Sequence, residues 1–87
     1  MRNEIQEDIC KLIRRKRKEK HMTQVRLAAE LQLLAIKGAT RSRIVHIETE
    51  FYPVRADELI AISGILSITP EDLENVFRTH RAKLNTL

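Results

Sequence analysis

Thr40-Arg41-Ser42-Arg43, followed by Val45 and His46, gathers side chains suited to reading a nucleic-acid duplex. If Thr40 caps a helix, the next residues sit in its first turn, where N–H groups lack intrahelical partners and the helix end is positive. Arg41 is long enough to place two donors on guanine O6 and N7, and Ser42 can donate or accept at a base edge or phosphate. Val45, one turn on, suits a thymine methyl, and His46 suits a base or a phosphate. Other chemistry finds little support. His21, His46 and His80 lie far apart, and Cys10 has no ligand-spaced partner, so neither a metal site nor a cofactor is expected. Ser42 and His46 form an i, i+4 pair, but no oxyanion site accompanies them, and an enzyme is not expected.

These residues need a helical scaffold, and the sequence supplies one. The chain has 87 residues, 43% of them apolar, with two Gly and two Pro, which fits one small all-α domain spanning 1–87. Ile5, Ile9, Leu12 and Ile13 recur at helical spacing and predict a first helix over about 3–20, ended by His21 where Gly would be the easier left-handed cap. Thr23 reads as the N-cap of a second helix with the stripe Leu27, Ala28, Leu31 and Leu34. The pattern fades at Ala35-Ile36, and Lys37-Gly38-Ala39 reads as a turn with Gly38 free to take positive φ. Ile44 and Ile47 give the third helix a narrow buried edge, and Pro53 ends it by about residue 51. A fourth helix is expected near 57–66, with Leu59, Ile60, Ile62, Ser63 and Leu66 facing inward. Thr69 as N-cap and Pro70 at the first helical position open a fifth, anchored by Leu73, Val76 and Phe77, with 79–87 expected to fray.

Charge placement adds to this. Net charge is +4, yet residues 11–20 (KLIRRKRKEK) hold seven bases and one acid, so the rest of the chain is net acidic. Such a run is either an electrostatic footprint for phosphate or a solvated helix face. The three aromatics, Phe51, Tyr52 and Phe77, are too few for a platform that stacks single strands. The acidic start MRNEIQEDIC is unlike a signal peptide, no stretch is long and apolar enough to span a bilayer, and a lone Cys10 suits a reducing compartment. A cytoplasmic protein without membrane contact is expected.

Three blocks in order, MTQVRLAAELQLL at 22–34, TRSRIVHIE at 40–48 and LIAISGILSITPEDL at 59–73, resemble the phage repressor/Cro (Xre-type) helix-turn-helix family. The resemblance implies a five-helix lambda-repressor-like domain with its helix-turn-helix at about 23–49. The connection is longer than the family's usual one, and is similar to a branch whose second helix carries a Leu-Gln-Leu-Leu extension, which implies an extra helical turn. By this resemblance Arg41, Ser42 and His46 match base-facing positions, and Arg43 matches a backbone contact. Gln24 resembles the family's phosphate-clamping glutamine, with Thr23 beside it and Lys37 as a further phosphate contact. Arg17 and Glu48 resemble the ion pair that ties helix one to helix three.

The expected function is a sequence-specific double-stranded DNA-binding regulator, bacterial or phage-borne, most simply a repressor associated with the nucleoid. Two copies would set their third helices in successive major grooves about 34 Å apart. The alternative is a protein-interaction module, such as the antitoxin partner of a toxin, using Phe51-Tyr52 and the 79–87 tail.

Overall fold

The computed structural model describes the backbone of residues 3–84 and the side chains of residues 3–81. It is all-helical: α1 (Glu4–Glu19), α2 (Gln24–Leu33), α3 (Arg41–Glu50), α4 (Ala56–Leu66) and α5 (Pro70–Leu84). No strand occurs among the described residues.

Side-chain oxygens start most of the helices. Asn3 Oδ1 accepts from the N–H of Ile5 at 2.9 Å, Thr23 Oγ1 from that of Arg26 at 3.0 Å, and Thr40 Oγ1 from that of Arg43 at 3.1 Å. Thr69 and Asp72 cap reciprocally: Thr69 Oγ1 accepts from Asp72 N at 3.1 Å while Asp72 Oδ2 accepts from Thr69 N at 2.9 Å. At α4 the carboxylate of Glu58 reaches back to the N–H of Arg55 at 2.9 Å.

The helices stop differently. His21, Ala35, Phe51 and Ser67, just past the ends of α1 to α4, all take left-handed backbone with φ between 53° and 58°. His21 thus occupies the left-handed slot that the sequence indicates. Gly38 has φ 75°.

The core joins α1 (Ile9, Cys10, Leu12, Ile13), α2 (Leu27, Ala28, Leu31), α3 (Ile44, Ile47) and α4 (Ile62, Leu66), closed by Ala39 and Ile68. α2 packs on α3 and α4, while α1 packs on α3, α4 and α5.

Several expectations are corrected. Helix α2 runs through Leu33 with Leu34 as its C-cap, and there Ile36 N–H reaches back to Leu31 O at 3.1 Å and Ala35 N–H to Gln32 O at 2.9 Å, closing the helix in a Schellman motif. The added residues form an irregular connection over 34–40, so Leu34 falls past the helix end and is 55% exposed. Ile60 is 75% exposed because it lies about 200° round the helix from Ile62, two residues on. Phe77 is 46% exposed, since Leu73, Val76 and His80 form the face of α5 turned to the interior. Helix α5 also continues through Leu84 rather than fraying at residue 79, and residues 85–87 of that expected tail lie outside the described residues. His80 explains the continuation: it is buried, with Nε2 2.7 Å from Asp8 Oδ2 of α1.

Candidate nucleic-acid interface

Helix α3 has a narrow apolar edge, Ile44 and Ile47, and a carboxylate or guanidinium on each flank of it. Glu48 lies on one flank. Its side chain is fully buried and takes two bonds from Arg17, Nε to Oε2 at 2.7 Å and Nη2 to Oε1 at 2.8 Å. Arg17 Nη1 also donates to Met22 O at 2.7 Å, so one guanidinium ties α1 to α3 and to the start of α2.

Arg43, about 140° round α3 from Glu48, occupies the other flank. It donates Nε to Glu58 Oε2 at 2.9 Å, and Nη2 to Glu58 Oε1 at 2.7 Å and to Pro53 O at 2.8 Å. Arg43, expected to contact the DNA backbone, is placed here in an ion pair through Nε and Nη2. Its fork is engaged in holding α3 to α4, and only 22% of the side chain is exposed. Burial of Glu58 would raise its proton affinity, but the hydrogen bonds from Arg43 and the Arg55 N–H, with the charges of both arginines, reverse the shift and hold it below the usual carboxylate range.

The outward side of α3 carries the remaining candidates. Arg41 and Ser42 are exposed in the first turn, and neither has a hydrogen-bond or charge partner among the described residues. Val45 is half-buried and its carbonyl accepts from Thr49 Oγ1 at 2.7 Å. His46 is half-buried with its ring 5.0 Å from that of Tyr52, tilted by 39°. No hydrogen bond joins His46 to Ser42 among the described residues.

The start of α2 lies near the far end of α3 from Arg41. Gln24 Nε2 donates to Glu48 Oε1 at 3.3 Å, and Glu48 is seven residues along α3 from Arg41, about 10 Å. One amide N–H of Gln24 is therefore held inward while the second has no partner among the described residues. Thr23 is exposed and accepts from Arg26 N–H, which leaves its hydroxyl proton to donate. Lys37 is exposed in the 34–40 connection, and its carbonyl accepts from Arg55 Nη2.

The basic run of α1 is mostly exposed, with several of its charges paired within the protein. Lys11 pairs with Glu7, Arg15 with Glu19, Lys16 with Asp72 and Arg17 with Glu48. Lys20 Nζ donates to Ser67 Oγ at 2.9 Å. Arg14 and Lys18 are exposed without partners among the described residues.

Sequence reasoning missed Glu58, Arg55 and the Asp8–His80 contact. Glu58 carried one usable signal, an acid in a first helical turn, but no spacing rule links residue 43 to residue 58. Cys10 is fully buried, donates to Tyr52 O at 3.4 Å, and is pushed up to about 11 by burial, partly offset by the charge of Arg43. Such a thiol stays protonated and unreactive at neutral pH. No group of His, Cys, Asp and Glu among the described residues could hold a metal ion, and no described helix is long and apolar enough to cross a membrane.

Compared with protein-family models, curated proteins and solved structures, the chain matches none.

Proposed function

We propose that this chain binds double-stranded DNA sequence-specifically as a transcriptional regulator, most simply a repressor acting as a homodimer in the cytoplasm, with α2 and α3 as a helix-turn-helix. One observation carries the reading. Along α3 the inward charges, Arg43 and Glu48, hold the helix in place, whereas Arg41 and Ser42 stand exposed and uncommitted beside the unpaired N–H groups of a positive helix end. In this reading α3 enters the major groove N-terminus first, Arg41 and Ser42 contact base edges, and Val45 and His46 follow one turn on. Thr23, Gln24 and Lys37 contact phosphates on either side and fix the register. His46 is braced by Tyr52, which limits the rotamers its ring can sample.

The competing reading is a protein-interaction module such as an antitoxin. The features on which it rested are partly occupied: Phe51 packs against the core with Lys11 Nζ 5.7 Å from its ring centre, and 79–84 form helix. Among the described residues Leu33 and Ile60 are the most exposed large apolar side chains, at 82% and 75%, with Val25, Leu34, Tyr52 and Phe77 exposed as well.

A pool of random-sequence duplexes separates the readings. Wild-type protein should enrich a motif, and Arg41→Ala should weaken binding to it by about 1–3 kcal/mol while the far-ultraviolet spectrum and Tm are unchanged. Absence of an enriched motif, or unchanged affinity in the variant, would remove the base-reading role and favour the interaction module.

A further inference from the structure

We propose that Arg55 and Arg43, joined through the buried carboxylate of Glu58, form a clamp that positions α3 for base reading; the inference rests on the DNA-binding reading above. The need for a clamp follows from the connection between α2 and α3. Helix α2 closes at Leu33, and 34–40 then cross to α3 with Lys37 and Gly38 exposed. Apolar anchoring along this stretch is limited to Ala39, buried, and Ile36, partly buried. Inside α3 itself the apolar edge is only Ile44 and Ile47. Ile44 and the Gln32 Nε2 bond to Ala39 O at 2.6 Å hold the base of the N-terminal turn, while Arg41 and Ser42 themselves stand exposed on it.

Glu58 sits where it can reinforce this. From α4 its Oε1 accepts from Arg43 Nη2 and from the Arg55 N–H, and the Arg55 guanidinium lies alongside, 3.8 Å away. Arg55 then reaches forward, Nη2 donating to Lys37 O in the stretch that precedes α3. Arg43 reaches the other way, Nη2 donating to Pro53 O in the stretch that follows α3. Glu58 thus holds the Arg43 guanidinium and, with Asp57 Oδ1 accepting from Arg55 Nε at 3.3 Å, the Arg55 one, and the two grip the chain on both sides of α3. A Cβ on Gly38 would stand 3.9 Å from Arg55 Nη1, which shows how closely the arginine lies along this connection. Bidentate base contacts require placement within about 0.5 Å, so slack in the preceding chain appears directly as lost discrimination. Arg55 is a positioning residue here, acting through the Lys37 carbonyl and Glu58.

Two variants and two readouts test the clamp. Arg55→Ala removes the fork, and Arg55→Lys keeps the charge but cannot reproduce it. In both, amides 37–42 should exchange hydrogen several-fold faster than in wild type, with those of α1 unchanged. Against the duplex enriched by the wild type from a random pool, both should lose selectivity over scrambled duplex on the order of tenfold. The slope of log affinity against log salt should stay the same, because no phosphate contact has been removed. Unchanged exchange at 37–42, full rescue by Arg55→Lys, or a slope lowered by about one unit would overturn the proposal, the last by making Arg55 a phosphate contact. If the wild type enriches no duplex, the DNA-binding reading falls, and the amide exchange alone still decides whether Arg55 holds the connection.

Discussion

Glu58 has a side chain only 1% exposed, yet it is held ionised, because two guanidiniums and a backbone N–H surround it. Folding therefore lowers its proton affinity below the ordinary value of 4.5. The sign of the consequence is fixed by linkage. Stability contributed by the ionised carboxylate is complete above 4.5, and it is lost as pH falls through the lower folded value, where the unfolded chain already holds the proton. Glu58→Gln should lower stability at neutral pH, since Arg43 is left half-buried against a neutral amide that cannot match its charge. It should also flatten the acid limb, so that unfolding free energies from urea titration fall less steeply below 4.5 than in wild type. An acid limb of unchanged steepness would show that other carboxylates carry the pH dependence. Glu48 differs in geometry, since its Arg17 fork comes from α1, and the two carboxylates together hold α3 from opposite flanks.

At the scale of elements, helix starts and helix stops follow different physics. Four helices end on a non-glycine residue in left-handed backbone, a conformation that costs an L-residue with a Cβ roughly 1–2 kcal/mol. Ala35 makes the cleanest test, being exposed with little side chain to lose. Ala35→Gly should raise stability by about 0.5–1 kcal/mol after the added freedom of the unfolded chain is subtracted. A calorimetric Tm at or below that of wild type would mean that the strain is relieved elsewhere in the turn. The starts were legible because Thr23, Thr40 and Thr69 each bond the N–H three residues on, a relation local enough to read from residue order. The left-handed stop at His21 was also legible, from its place at the end of a periodic stripe. The end of α2 was legible too, since the apolar pattern fades at Ala35-Ile36, where Ala35 turns left-handed; the exposure of Leu33 and Leu34 was not. There tertiary packing decides: Ile36 folds back onto the core, leaving Leu33 and Leu34 outside. Among the candidate site residues, the types and first-turn placement of Arg41 and Ser42 could be read locally. The engagement of Arg43 could not, since its partner lies fifteen residues away on another helix.

Considered as a whole, the molecule is built around α1, which meets α3 through Arg17 and Glu48 and meets α5 from the Asp8–His80 contact to the Lys16–Asp72 pair. Of the seven bases of 11–20, Lys16 and Arg17 serve this central position by pairing with Asp72 and Glu48, while Lys11 and Arg15 pair with Glu7 and Glu19 along the exposed face of α1. The later turns of α5 are held by the 2.7 Å contact between His80 Nε2 and Asp8 Oδ2, with His80 6% exposed. A hydrogen bond to a charged group contributes about 1.5–3 kcal/mol when buried and less here, where Asp8 is 40% exposed, and this one ties the later turns of α5 to α1. His80→Ala and Asp8→Ala should each speed amide exchange in 78–84 before any change in α3. The double variant should cost little more than either single one, giving a coupling energy of about 0.5–3 kcal/mol from urea unfolding. Strictly additive losses would show that the two side chains act independently and that their contact does not hold α5. Affinity for an enriched duplex should survive all three variants, because the contact joins α1 to α5 and leaves both flanks of α3 in place.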